Sequence, residues 1–330
     1  MIVFILRRLL RIAVSLVLVS IITFVLLQAA PGNFADISRL TQAGPNGASL
    51  ESSVGALQSR YGASVPGWKQ YLKFMQGAVT GNMGPSFQYP QLTVQGIIEK
   101  AFPISLTLAT LAVVLALLIA VPLGIIAALR RNSALDYGTM FGVTALHSMP
   151  SYLLAIILIL IFSVSVHALP SSGWNGPQNL ILPVAALGLS SAAVLARYVR
   201  SSMIETLRAE YVVAAYARGG RERTVVVRHA LRNSLIPLVT VTGPLLAVLM
   251  TGTLFIETVF EIPGLGQYFA GAARARDMPL LMGSTLFFAV ILMGMNLVVD
   301  IVYGLLDPRI RAEGEWSQWR RRRRASPVQV

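Results

Sequence analysis

The chain of 330 residues has no cysteine and only three lysines, and each shortage removes a class of function. Without thiols it can build neither a disulfide framework nor a thiolate metal site. None of Lys69, Lys73 and Lys100 follows a glycine, so a glycine-rich phosphate loop ending in Gly-Lys-Ser/Thr cannot form, and the chain is not expected to hydrolyse ATP. His147, His167 and His229 lie far apart with no His-Glu-x-x-His pair, and no Gly-x-Ser-x-Gly elbow presents a serine nucleophile. The chain therefore reads as non-catalytic, without a metal site, its histidines ordinary hydrogen-bonded polar groups. Charge is scarce too. Charged residues are 12% of the chain against 55% hydrophobic, and the mean hydropathy is +0.67, too apolar for a water-soluble domain of this size to cover. The solvent is lipid.

What the chain does have is long apolar runs and arginine. Crossing about 30 Å of hydrocarbon takes about 20 apolar residues. Six segments qualify: about Leu9–Ala30, Ile104–Leu129, Met140–Val166, Leu180–Arg200, Leu235–Val259 and Leu280–Leu306. The first begins behind Arg7, Arg8 and Arg11 as a signal peptide would. Its run is long for one, however, and Gln28-Ala-Ala-Pro-Gly32 makes a poor cleavage site, so it reads as an uncleaved span. Pro122, Pro183 and Pro244 fall inside spans and are expected to kink or start them.

The net charge of +13 would suggest nucleic acid in a soluble protein, but no basic groove interleaved with aromatics is present. Arginines cluster beside the spans instead. With the N-terminus in the cytoplasm, twenty of the 27 Lys+Arg fall inside, at Arg7–Arg11, Arg130–Arg131, Arg197–Arg232 and Arg309–Arg324. Both termini are thus expected in the cytoplasm, with all three lysines outside.

The chain divides accordingly into a first span over 1–30, an extracytoplasmic cap over 31–101, a five-helix core over 102–306 and a basic tail over 307–330. Within the cap, turn clusters such as Gly44-Pro-Asn-Gly47 accompany Trp68, Tyr71, Phe74 and Met75 at helical spacing. The cap is either a spacer resting on the spans or a docking surface for an extracytoplasmic partner. In the last span Asp300 follows Asn296 by one turn, and an intramembrane carboxylate is costly. It either lines a translocation path with Asn296, Ser190 and Ser191, or bonds to a neighbouring helix. A proton relay would call for more acidic positions and matched halves with broken helices.

One polar segment stands out between the fourth and fifth spans. Met203, Leu207, Tyr211 and Ala215 recur every fourth residue, which predicts one apolar helix face with Glu205, Arg208 and Arg218 turned to water or a partner. Gly219 and Gly220 can turn the chain sharply, and Glu222 suits the start of a second helix. The result, a helix–turn–helix elbow over 201–234, is by its physics alone either a solvated loop or a docking site.

The pattern Ala214-Ala215-x-x-x-Gly219, with Pro237 eighteen residues further on, resembles the cytoplasmic signature loop of ABC-importer permeases, with Val213 where a glutamate usually leads. Along the chain Arg7-Arg-Leu-Leu, Ala30-Pro-Gly, Pro122-Leu-Gly, Leu129-Arg-Arg-Asn-Ser-Ala-Leu-Asp136, Met149-Pro-Ser and Leu169-Pro-Ser-Ser-Gly-Trp174 follow in order. Arg200-Ser-Ser-Met-Ile-Glu205, Arg228-His-Ala-Leu-Arg-Asn233, Ile256-Glu-Thr-Val-Phe-Glu-Ile-Pro-Gly-Leu-Gly266 and Asp300-x-x-Tyr303-x-Leu-Leu-Asp307-Pro-Arg309 complete the set. The ordered set resembles the dipeptide/oligopeptide/nickel permease family in its first-permease form.

That resemblance implies an all-α, six-span type I importer fold in the bacterial cytoplasmic membrane. It implies a second permease chain, two ATP-binding subunits that hold ATP and Mg2+, and an extracytoplasmic solute-binding protein, with no cofactor in this chain. The implied ATPase contact is Tyr211, Ala214, Ala215, Tyr216, Arg218 and Gly219; the implied binding-protein or gate loop is Glu257, Glu261, Pro263, Gly264 and Gly266. The implied substrate is a di- or oligopeptide. Nickel or another small solute is the alternative within the family, and an ATP-independent channel, proton-coupled carrier or membrane scaffold the alternative outside it.

Overall fold

The computed structural model describes residues 2–29 and 66–306, and the described residues are helical apart from short turns and a single bridge between Pro85 and Thr93. The Gly44–Gly47 cluster, Ala30-Pro-Gly and the tail from Asp307 lie outside them. Thirteen helices are named here: α1 (Ile2–Ala29), α2 (Gly67–Thr80), α3 (Val94–Leu129), α4 (Ala134–Ser148), α5 (Ser151–Leu158), α6 (Gln178–Leu207), α7 (Glu210–Ala217), α8 (Glu222–Val225), α9 (Leu231–Ser234), α10 (Ile236–Gly252), α11 (Leu254–Val259), α12 (Leu265–Ala275) and α13 (Met278–Leu306).

The axis of the molecule is the pair α3 and α6, which pack on each other more extensively than any other two helices. Their sequences explain why. Ala112, Ala116, Ala120, Gly124 and Ala128 recur every fourth residue along α3 and are buried, facing Gly188, Ala192 and Ala196 of α6. A Cβ on Gly124 would come 2.9 Å from the Ala196 carbonyl oxygen, and one on Gly188 would come 3.1 Å from that of Ala112. Small residues let the backbones touch, which is how helices associate where lipid removes the hydrophobic drive.

With 36 residues α3 is about 54 Å long, well beyond the hydrocarbon thickness, and four buried clusters follow one another along it. Val94, Ile97, Ile98 and Ala101 meet Leu265, Ala272, Leu280 and Leu281 at one end. Leu108–Val113 meet Leu182, Leu187, Ile256 and Phe260, then Ala116 and Ala120 meet Leu195, Val199 and Leu238. At the far end Ala128 meets Met203, Val212, Ala215, Val225 and Val226. The expected boundary between residues 101 and 102 thus falls inside one continuous helix. Pro103 and Pro122 are both accommodated within α3, as are Pro183 within α6 and Pro244 within α10.

Among the described residues four helices are long and apolar enough to cross a membrane: α1, α3, α6 and α13. Two expected spans differ. The expected third span is broken at Met149-Pro150 into α4 and a helix running from α5 into wider turns over Ile159–Ser165, the two bent by 100°. Proline cannot donate and forces its predecessor out of the helical region; Met149 is extended at φ −87°, ψ 128°. The expected fifth span ends at Gly252, and after Thr253 the chain restarts as the six-residue α11. Around this frame α13 packs on α10, α1, α12 and α3.

Candidate functional site

The elbow is built at the Ala128 end of the bundle. α6 stops at Leu207, and an extended Ala209 (φ −66°, ψ 141°) redirects the chain into α7. That break resets the helical phase, so the apolar face expected to run unbroken through Met203, Leu207, Tyr211 and Ala215 is not continuous. Val212 and Ala215 are buried beside Met203, while Tyr211 turns outward. As expected, Glu205, Arg208 and Arg218 are exposed.

The two glycines that close α7 do different work. Gly219 has φ +80° with open space where a side chain would go, so it is there for conformation. Gly220 donates its N–H to the Ala215 carbonyl at 3.1 Å, and a Cβ on it would lie 2.7 Å from Val225 Cγ2, so it is there for close approach. α8 then begins at Glu222, which complements the positive helix start, and packs Val225 back under α7. Asn233 Nδ2 donates to the Tyr211 hydroxyl at 2.8 Å, tying α7 to the approach to α10.

The outward face of α7 is apolar. Tyr211, Val213 and Tyr216 are 44%, 54% and 38% exposed, alternating with exposed Ala214 and Ala217. Along the same segment Arg208, Arg218, Arg221, Arg223, Arg228 and Arg232 are exposed, against exposed Glu205, Glu210 and Glu222. A rigidly seated helix with an aromatic-edged, small-residue face in a charged segment has the character of a protein-docking surface.

Near the start of the elbow Arg200 grips Asp136 with two bonds, Nε to Oδ1 at 2.6 Å and Nη2 to Oδ2 at 2.7 Å. Asp136 also accepts from the Asn132 N–H at 2.9 Å, while its own N–H is capped by Ser133 Oγ. Two motifs noted 64 residues apart in sequence are thereby one structural unit.

The loop around Glu257 is a separate construction, packed on the middle of α3. Glu257 is fully buried: Thr253 Oγ1 donates to Oε1 at 2.6 Å and the Gln267 N–H donates to Oε2 at 3.1 Å. The carboxylate therefore caps the N-terminus of α12, where negative charge is favoured, and Ser105 of α3 accepts the Leu265 N–H at 2.9 Å. Gly264 and Gly266 make room for that carboxylate, since a Cβ on either would come within 2.9 Å of it. Glu261, at φ +53°, is exposed and Pro263 half-buried, so within this loop Glu261 offers the outward-facing carboxylate.

Ser190 is half-buried and Ser191 buried on α6, whereas Asn296 is exposed on α13. Asp300 is paired with Arg8 of α1. Sequence reading missed Asp277, which is fully buried, caps α13 through the Leu280 N–H at 3.1 Å and binds Ser86 Oγ and the Gln88 N–H. An aspartate directly before an apolar run with proline two residues on, Asp277-Met-Pro279, is the helix-start signal that would have revealed it.

Comparison with known proteins agrees with this architecture. Residues 120–312 match the family described as binding-protein-dependent transport system inner membrane component, and residues 1–109 match its N-terminal companion. The chain is 38% identical over 308 residues to the dipeptide transport system permease protein DppB of Bacillus subtilis, covering 93% of this chain and 97% of that one. It is 35% identical to the oligopeptide transport system permease protein OppB of Salmonella typhimurium, over 93% and 99%. In fold it is similar to a chain of the MetNI methionine ABC transporter in an inward-facing conformation, with a TM-score of 0.54 at 19% identity, over 64% of this chain and 96% of that one. It is a multi-pass, all-helical membrane transport subunit. The chain belongs to the family of binding-protein-dependent transport system inner membrane components.

Proposed function

We propose that this chain is one permease half of an ATP-driven importer of di- or oligopeptides, moved by partner ATPase subunits that bind ATP and Mg2+ and grip α7. The observation that carries the coupling reading is the outward apolar face of Tyr211, Val213, Ala214, Tyr216 and Ala217, held rigid by buried Val212 and Ala215. Such a face on the polar side of a membrane protein is covered in the working assembly. Arg218 and Gly219 border it and set its edge. Similarity along nearly the whole length of a dipeptide and an oligopeptide permease supports the substrate class.

In this reading six crossings come from α1, α3, the bent α4–α5 unit, α6, α10 with α11, and α13, with both termini in the cytoplasm. ATP-driven closure of the motor subunits pushes α7, and α7 shares its buried cluster with α3 and α6, so the push tilts the bundle as a body. A second permease chain completes the pathway and a solute-binding protein delivers peptide, with Glu261 and Pro263 facing outward. Glu257, Gly264 and Gly266 hold that loop in shape. Ser190, Ser191 and Asn296 are read as lining the path; Asp300, tied to Arg8, is read as a brace between helices.

Val213→Asp and Tyr216→Ala, both on the outward face, test the idea without touching the buried cluster. Each should abolish peptide uptake and co-purification of the ATPase chains while the permease still accumulates in the membrane. Normal uptake in Val213→Asp would remove α7 as the coupling site.

A further inference from the structure

We propose that α2 is an interfacial helix whose exposed ridge contacts membrane lipid, beside the C-terminal third of α1 from Ser20 to Gln28. This does not depend on the coupling reading.

α2 has three faces rather than two. Stepping about 100° per residue, Trp68, Leu72 and Val79 fall within about 40° of one another, and all three are strongly exposed. Lys69, Lys73, Gln76 and Thr80 form a polar strip beside them, also exposed. Gly67, Tyr71, Phe74 and Ala78 occupy the remaining side and are half-buried. That third side is the seat on α1: the Tyr71 hydroxyl bonds Ser20 Oγ at 2.8 Å, the Tyr71 and Phe24 rings stand 5.4 Å apart, and Gly67 abuts Phe24 and Gln28. The sequence thus separates what packs on protein from an apolar ridge that no described residue buries.

Lipid is the occupant that fits. α1 is itself exposed along most of its length, with Leu18, Ile22, Val25 and Leu26 uncovered, so α2 sits against a lipid-facing helix. The ridge adjoins the seat rather than opposing it, and so stands beside α1. α2 contains two lysines and no acidic residue, complementing an anionic headgroup layer. At the border of ridge and strip the Lys69 ammonium lies 5.3 Å from the Trp68 ring centroid. An indole with an adjacent ammonium is the combination that the headgroup region accommodates, ring in the interface and charge at the phosphates.

This chain has no cysteine, so one introduced thiol is its single labelling position, and a transporter labelled without that thiol supplies the background. Single substitutions Leu72→Cys and Val79→Cys on the ridge, and Gln76→Cys and Thr80→Cys on the strip, are spin-labelled in the full transporter reconstituted into phosphatidylethanolamine–phosphatidylglycerol vesicles. Collision rates are then measured with oxygen, which concentrates in lipid, and with a water-soluble nickel chelate. Lipid contact requires the oxygen-to-nickel ratio at both ridge positions to exceed that at both strip positions severalfold. Nickel collisions equal at all four sites place the ridge in water and overturn the proposal. Low collision with both probes at the ridge also overturns it, because that signals burial under protein, whether a partner or residues 30–65. Should one ridge variant fail to accumulate, the other decides.

Discussion

Arg200 holds Asp136 in a two-pronged fork that joins α6 to the N-terminus of α4, with the carboxylate only 1% exposed. The arginine lies two turns before the end of α6, so the fork anchors the helix that carries the elbow to the loop after α3. A planar guanidinium matches a carboxylate in a way that a lysine cannot.

Removing one partner should therefore be asymmetric. Arg200→Ala leaves the Asp136 carboxylate without its guanidinium and should cost about 1–3 kcal/mol, whereas Asp136→Asn keeps the cap from Asn132 and should cost less. Arg200→Lys should fall between, retaining charge without the fork. Thermal unfolding of the purified chain in detergent orders the three; equal losses for all would show that the fork sets nothing.

Gly264 and Glu257 should behave as one unit. Gly264→Ala puts a methyl group 2.5 Å from the Glu257 carboxyl carbon and should destabilise strongly, while Glu257→Ala alone uncaps α12 and opens space. In the double variant the methyl clash disappears, so its loss should be smaller than the sum of the single losses. Simple additivity in the same melting assay would contradict the contact.

The paired glycines of the elbow make a finer contrast. Gly219→Ala meets nothing but must adopt φ +80°, a strain of about 1–2 kcal/mol. Gly220→Ala instead forces Val225 and the Ala215 carbonyl apart and should loosen α7 from its seat. Limited trypsin digestion of membranes reads this directly: cleavage at Arg218 and Arg221 should speed up more in Gly220→Ala than in Gly219→Ala.

Arg8 and Asp300 can be separated from transport by reversing the pair. Arg8→Asp and Asp300→Arg should each lower accumulation of the chain in membranes, and the double reversal should restore it. Asp300→Asn should accumulate and transport peptide at close to the parental rate. Abolished uptake in a normally accumulating Asp300→Asn would instead put that carboxylate on the path.

Much of this was legible along the chain. Apolar length marked α1, α3, α6 and α13 as spans because hydrocarbon tolerates no unpaired backbone. Helical spacing of Trp68 and Tyr71 marked α2, and the Gly219–Gly220 pair marked the turn of the elbow. Periodicity erred where a break intervened, carrying one face through Arg208–Ala209 and one span through Pro150. Nothing along the chain separated Glu257, which is buried, from Glu261, which is exposed, within the one loop that the resemblance implied.

Sequence by itself determined the solvent, because 55% hydrophobic content with 12% charge has no stable arrangement in water, and it excluded phosphate-loop and thiolate chemistry through missing residues. Only the tertiary structure decided which polar groups face inward. Asp136 finds Arg200, Asp300 finds Arg8, Asp277 finds Ser86, and Glu257 finds the start of α12. A buried charge is tolerated only where a partner arrives at bonding distance, and that partner comes from elsewhere in the chain, at a place set by how the helices pack.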